Sequence, residues 1–332
     1  MEHISGLRSN NLNTENLKLN TVLNITLLAG GISAERDVSL QTGKQIAAAL
    51  RRCGHIVFES DISPDNLSAL DHKPCDLVFP ALHGTFGEDG RLQAILEKRN
   101  IPFVGSDSAA SSLAMDKVAV KKLLVSHGVP TPPWQMVARS EFTSDWTPAA
   151  AVSLPCVIKP NADGSSVACR ICRTLADARE HLAATLGQYG QMLVERCIDG
   201  PELTVGIIDG KTLPIIQIQP STEFYDYQAK YIREDTQYLF DIAAPQSVLR
   251  DVSHAALQTY RWVGARHLAR VDIMLDKTSQ EPMVLEINTM PGFTTHSLVP
   301  KAAAHAGISF DALCDRLARL ALRDVPLNSS SR

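Results

Sequence analysis

The 332-residue sequence has no strong excess of charge of either sign: 32 Lys and Arg stand against 36 Asp and Glu, a formal net charge of −4. Without a basic footprint, nucleic acid is disfavoured as a general partner. Nor is there a hydrophobic run of the roughly 20 residues that cross a bilayer. The apolar stretch at 22–29 falls far short, and no membrane association is expected. Cysteine is sparse and odd in number, seven scattered residues, which is not a secreted disulfide framework. Cys169 and Cys172 form one C-x-x-C, but no second pair at zinc-site spacing follows, and they read as small apolar residues of a strand. The N-terminal "MEHISGLRSNNLNTENLKLN" lacks the apolar core of a signal peptide. It reads as a disordered tail (1–20), as does 326–332, and a cytoplasmic location is the expectation. Two nucleotide signatures are also missing. "LLAGGISAER" holds no G-x-G-x-x-G, and no G-x-x-x-x-G-K-[ST] occurs; a nucleotide, if bound, is held another way.

What is present is an ordinary soluble composition, 45% hydrophobic and 20% charged, in a chain long enough for two or three domains. The first block, 21–106, alternates strands and helices. "TVLNITLLAGG" is a strand, "DVSLQTGKQIAAALRRCG" a helix closed by Gly54, "HIVFES" and "CDLVFPAL" strands, "GRLQAILEKRN" a helix and "IPFVG" a last strand. That order predicts a Rossmann-like parallel sheet with functional loops at the carboxyl ends of its strands. The second block, 107–199, begins with one helix, "SLAMDKVAVKKLLVSHG", and continues through the turn "VPTPPW", the strand "PCVIKP", the loop "NADGSSV", a helix near 176–186 and the strand "QMLVERC". The third, 200–325, has the strands "ELTVGII" and "TLPIIQIQ", a long polar loop at 221–238, a helix around 252–268, the strands "LARVDIML" and "MVLEIN", and a closing helix near 311–322.

Several residue sets carry chemistry. On a strand, residues two apart share a face, so Arg270 with Asp272 and Glu286 with Asn288 form two same-face pairs on neighbouring strands. Asp272, Glu286 and Asn288 are hard oxygen donors of the kind Mg²⁺ prefers. Arg270 beside them is placed to stabilise a developing anion. The plainer alternative is an ion-pair network on a solvated sheet face. Lys159 ends an apolar strand and is followed by Gly164, Ser165 and Ser166, a loop whose N–H groups and hydroxyls suit phosphate oxygens. Lys117 on the preceding helix offers a second charge, although a single lysine is by default a solvated surface group. Glu195 and Glu202 flank the turn "RCIDGP", where carboxylates would accept from an adenine amine and ribose hydroxyls.

Taken in order, "GGISAERDVSLQTG" (30–43), "LHGTFGEDG" (82–90), "MDKVAVKKLL" (115–124), "IKPNADGSSV" (158–167), "DGPELTVGI" (199–207), "FYDYQAKY" (224–231), "RVDIML" (270–275) and "LEINTMPGFTTHSLVP" (285–300) resemble the motifs of the D-alanine–D-alanine ligases of the ATP-grasp superfamily. The resemblance implies an α/β chain of ATP-grasp type, with a Rossmann-like N-terminal domain followed by two subdomains that sandwich ATP. It implies ligation of two D-alanines to D-alanyl-D-alanine for peptidoglycan synthesis, with ATP and Mg²⁺ or Mn²⁺, two ions per site, and a homodimer. Residue by residue, it assigns Glu35 to the ammonium of the first D-alanine and His83 to positioning that substrate. It places Lys117, Lys159 and Lys230 on phosphates and Glu195 and Glu202 on adenosine. Arg270 and the Gly292 N–H would form an oxyanion hole, and Ser297 and Leu298 would take the carboxylate of the second D-alanine. The loop 221–238 would be a lid, pinned through Tyr231 and Ser165 to Glu35. Two alternatives stand beside this reading: a D-alanine–D-lactate ligase, separated by the residue at 231, and a non-catalytic ATP-grasp protein that binds nucleotide as a regulator.

Overall fold

A computed structural model describes residues 21–163, 167–220 and 235–324. The N-terminal sheet is parallel, in the order β2-β1-β3, with β1 Asn24–Ala29, β2 Ile56–Asp61 and β3 Leu77–Pro80. The central strand β1 is a near-continuous apolar run because both its faces are covered. Helix α1, Arg36–Arg52, lies on it through small residues. Gly43 permits that approach: a Cβ there would come within 2.6 Å of the Ala29 Cβ. After α2, Arg91–Lys98, the expected strand "IPFVG" is reduced to a bridge between Val78 and Phe103. Pro102 has no N–H to give, and Gly105, at φ +108, turns away and donates its N–H to His267 Nδ1 at 3.1 Å.

The single helix expected over "SLAMDKVAVKKLLVSHG" is two, α3 Ser108–Met115 and α4 Lys117–Ser126. Asp116 makes the break. Its backbone is extended and its Oδ1 accepts from the Ala119 N–H and from Asn161 Nδ2, both at 2.9 Å. An aspartate that caps locally competes with helix continuation. An antiparallel sheet follows in the order β4-β7-β5-β6, from Trp134–Ala138 (β4), Cys156–Pro160 (β5), Arg170–Cys172 (β6) and Gln191–Arg196 (β7). Helix α5, Leu175–Tyr189, covers one face, where Cys156, Ile158, Met192 and Val194 meet Ala178, Leu182 and Leu186. The other face carries Lys159, Leu193 and Glu195. Cys172 is buried in strand register opposite Cys156, and all seven cysteines are free.

The C-terminal sheet runs β11-β10-β8-β12-β13 with β9 added on β8. Its strands are β8 Glu202–Ile208, β9 Lys211–Thr212, β10 Ile216–Gln219, β11 Gln237–Leu239, β12 Leu268–Leu275 and β13 Pro282–Asn288. Ala269, Val271 and Ile273 of β12 bury against α6, Gln246–Val263. That helix starts earlier than the sequence predicts, just after Pro245, and stops earlier because Gly264 at φ +78 closes it. Helices α7, Leu298–His305, and α8, Phe310–Arg323, return to the N-terminal sheet and share one apolar core with it. Arg52 with Asp311 and His55 with Asp315 tie the return.

Candidate active site

Strands β12 and β13 alternate, so the faces away from α6 hold the polar set. Arg270 stands opposite Asn288, and Asp272 opposite Glu286. Arg270 grips Asp272 with a fork, Nε at 2.9 Å from Oδ1 and Nη2 at 2.9 Å from Oδ2. Thr204 of β8 donates to Asp272 Oδ1 at 2.7 Å, and Asn288 Nδ2 to Oδ2 at 3.3 Å. Among the described residues no three His, Cys, Asp or Glu side chains group as a metal site. The third donor here is an amide, and two carboxylates with an amide oxygen form an all-oxygen set that suits a hard divalent cation. The four polar residues therefore share one face, and they are partly buried rather than spread over a solvated surface.

The facing sheet and α4 supply the cations. Lys117 and Lys121 are one helical turn apart and point the same way. Lys117 Nζ donates to the Asp163 carbonyl at 2.7 Å and lies 3.5 Å from Glu286 Oε2. Deeper in, Lys121 Nζ lies 2.8 Å from Glu195 Oε2 and donates to Thr131 Oγ1 at 2.7 Å. Lys159 pairs with Glu195 Oε1 from the other side. Burial would push the Glu195 carboxyl up, but the two ammonium groups outweigh it and hold it below the usual range. Burial likewise works against a charged Lys159, yet Glu195 and Glu286 hold its pKa above the usual lysine value. For Lys121 burial prevails and the pKa is lowered, with Glu195 opposing. Sequence reasoning missed Lys121. Its i+4 spacing from Lys117 in "DKVAVKK" was the available signal.

Lys117, Lys159, Glu195, Glu202, Asp272 and Glu286 all line a single cleft of about 760 Å³ between the two antiparallel sheets. A recess of about 30 Å³ adjoins Lys117 and Glu286 and is lined also by Asn288 and Glu88. Glu88 Oε1 is 3.3 Å from His83 Nδ1, whose Nε2 is 3.3 Å from Thr42 Oγ1. That contact joins the N-terminal loops to the recess. Glu35 enters α1 and packs its carboxylate over Gly84, where a Cβ would lie 3.0 Å from Oε2. At the far side, Ser297 heads α7 with Oγ accepting from the Thr294 N–H at 3.0 Å, beside Gly292 and ahead of buried Leu298. Gln45 of α1 accepts from the Thr295 N–H at 2.9 Å and holds this loop against the N-terminal domain. Ser165, Lys230 and Tyr231, with residues 221–234 of the lid expected over 221–238, lie outside the described residues. The end of that stretch is not loop, since Gln237 and Tyr238 belong to β11 and pair with β10.

Two family models match the chain, one described as the D-ala D-ala ligase N-terminus over residues 59–106 and one as the D-ala D-ala ligase C-terminus over 123–319. The chain is 42% identical over 293 residues to a D-alanine–D-alanine ligase of Syntrophotalea carbinolica, covering 88% of this chain and 94% of that protein. It is 43% identical over 296 residues to a ligase of the same name from Marinobacter nauticus, covering 89% and 90%. Among solved structures, the D-alanine–D-alanine ligase of Bacillus anthracis complexed with ATP superposes with a TM-score of 0.78 at 32% identity, over 91% of this chain and 98% of that one.

Proposed function

The chain belongs to the D-alanine–D-alanine ligase family, and from that premise we propose how its residues divide the work of the reaction. The enzyme joins two D-alanines to D-alanyl-D-alanine at the expense of ATP, a step of peptidoglycan precursor synthesis. What carries the assignment is the single cleft that gathers Lys117, Lys159, Glu195, Glu202, Asp272 and Glu286 from α4 and both antiparallel sheets. Phosphoryl transfer is mostly positioning and charge neutralisation, and this cleft is lined by Lys117 and Lys159, by Arg173 and Arg196, and by the hard oxygen donors Asp272 and Glu286.

In the proposed sequence, Glu195 and Glu202 hold adenosine, and Lys117, Lys159 and Lys230 take the phosphates. Asp272, Glu286 and Asn288 would hold Mg²⁺ or Mn²⁺, two ions per site, which would neutralise charge on the transferring phosphoryl group. Glu35 binds the ammonium of the first D-alanine and His83 orients it. Its carboxylate attacks the γ-phosphorus, the bond to ADP breaks, and an acyl phosphate results. The amine of the second D-alanine then attacks that carbonyl. Arg270 and the Gly292 N–H stabilise the oxyanion, and collapse expels phosphate. Ser297 and Leu298 hold the second carboxylate; the N-terminus of α7 favours negative charge there. Ser165 and Tyr231 would pin the lid to Glu35. The division into domains at 106 and 199, the homodimer and the cytoplasmic location belong to the same reading, and their support is the family resemblance that runs through the chain. Separately, no helix among the described residues is long and apolar enough to cross a membrane.

A coupled assay of ADP release tests the reading with D-alanine, D-lactate and D-serine as acceptors. ADP release that depends on D-alanine, with D-alanyl-D-alanine as the main product, is the expected result. Preference for D-lactate would make the enzyme a depsipeptide ligase, and nucleotide binding without turnover would make it a regulator.

A further inference from the structure

We propose that Lys121 is a positioning residue of the nucleotide site: it is the resident counter-ion of Glu195, and it leaves the Lys159 ammonium available to a phosphate. The inference rests on the reading that Lys159 meets phosphate. One buried carboxylate here has two cationic partners, and they differ in access. The Lys121 side chain is 1% exposed and, among the described residues, reaches Glu195 and Thr131, whereas Lys159 lines the cleft. Thr131 fixes the inner partner. Its hydroxyl donates to the Val284 carbonyl at 2.7 Å, so its oxygen is turned to accept from Lys121. Val284 lies on β13, the strand of Glu286 and Asn288. The relay therefore runs from the metal-facing strand through Thr131 and Lys121 to Glu195 on the opposite sheet.

The physical need is plain. If Lys159 were the only partner of Glu195, turning it toward phosphate would strand a buried carboxylate, and removing one partner of a buried pair is strongly destabilising. With Lys121 in place the carboxylate stays neutralised while Lys159 changes partner. Two ammonium groups sharing one carboxylate also repel, which loosens the hold of Glu195 on Lys159.

The test compares Lys121→Met with wild type by calorimetric titration of magnesium-ATP and of adenosine, together with KM and kcat. In Lys121→Met the affinity advantage of ATP over adenosine should fall by about tenfold or more, with KM for ATP rising in step and KM for D-alanine unchanged. A merely structural lysine would weaken binding of ATP and of adenosine alike. Adding Glu195→Gln should restore the advantage, because an amide needs no counter-ion. Thr131→Val keeps both charges and should shift the ratio the same way by a few fold, which serves if Lys121→Met does not fold. Lys159→Met separates the two ideas: an unchanged ratio there removes Lys159 from the phosphates and overturns the underlying reading. A lost ratio in Lys159→Met with an intact one in folded Lys121→Met, or in Thr131→Val, would overturn the role of Lys121. So would a double variant that fails to recover.

Discussion

Arg270 shows how much a single side chain does in this site. It is partly buried and holds Asp272 in a two-pronged grip, so the charge proposed to meet an oxyanion also orders a carboxylate proposed to hold the metal. Arg270→Ala should lower kcat by on the order of a hundredfold or more while leaving ATP affinity nearly unchanged, since the charge it meets develops only in the transition state. Steady-state kinetics beside nucleotide titration decide it; an equal loss in ATP affinity at constant kcat would move Arg270 to substrate binding. Arg270→Lys should fall between, because a point charge cannot reproduce the fork. Glu286→Gln keeps shape but removes a charge from the oxygen donor set and from the neighbourhood of Lys117. Turnover should drop on the order of a hundredfold or more, the scale of several kcal/mol of charge stabilisation, with thermal stability close to wild type. Near-normal activity at limiting Mg²⁺ would contradict the metal assignment.

At the scale of elements, the break between α3 and α4 matters most. Continuous helix was the sequence expectation, and helix propensity alone allows it. Asp116 overrides it by capping α4 and anchoring Asn161, whose own carbonyl accepts from the Lys117 N–H at 3.3 Å. The cap thereby sets where Lys117 stands relative to Lys159 at the end of β5. Asp116→Ala should cost about 1 kcal/mol, the usual worth of an N-cap, and raise KM for ATP more than it lowers kcat. Asp116→Asn, which still caps, should recover most of both in a melting and kinetic comparison. A loss of stability with KM for ATP unchanged would make the break purely structural.

Across the whole molecule, His267 joins the end of the N-terminal domain to the C-terminal sheet and the end of α8. Gly105 donates to its Nδ1 at 3.1 Å, so Nε2 carries the proton and faces Asp324 at 2.8 Å. Burial lowers its pKa, with Asp324 opposing and Arg266 assisting. A histidine held neutral in the fold contributes stability above its unfolded pKa of about 6.5, and that contribution is lost as pH falls toward the lower folded value. His181, also lowered by burial, adds to the same window. Denaturant midpoints should therefore fall as the pH drops below about 6.5, and His267→Asn should flatten that fall relative to wild type. An identical pH slope in the variant would assign the effect elsewhere.

Local order and the donor set were legible in the chain because periodicity and residue type report them directly. Alternation in "LARVDIML" and "MVLEIN" put Asp272, Glu286 and Asn288 on one face, and the strands pair as that alternation requires. The parallel start, the helix over Arg36–Arg52 and the closing helix over Phe310–Arg323 follow from the same kind of signal. Tertiary structure decided what local signals cannot carry. "IPFVG" pairs only at Phe103, because Gly105 gives its N–H to a histidine 162 residues away. Lys121 looks like any helix lysine until the sheet of Glu195 closes over it. A buried charge is defined by its partners, and those partners come from separate elements that only the folded chain brings within 3 Å.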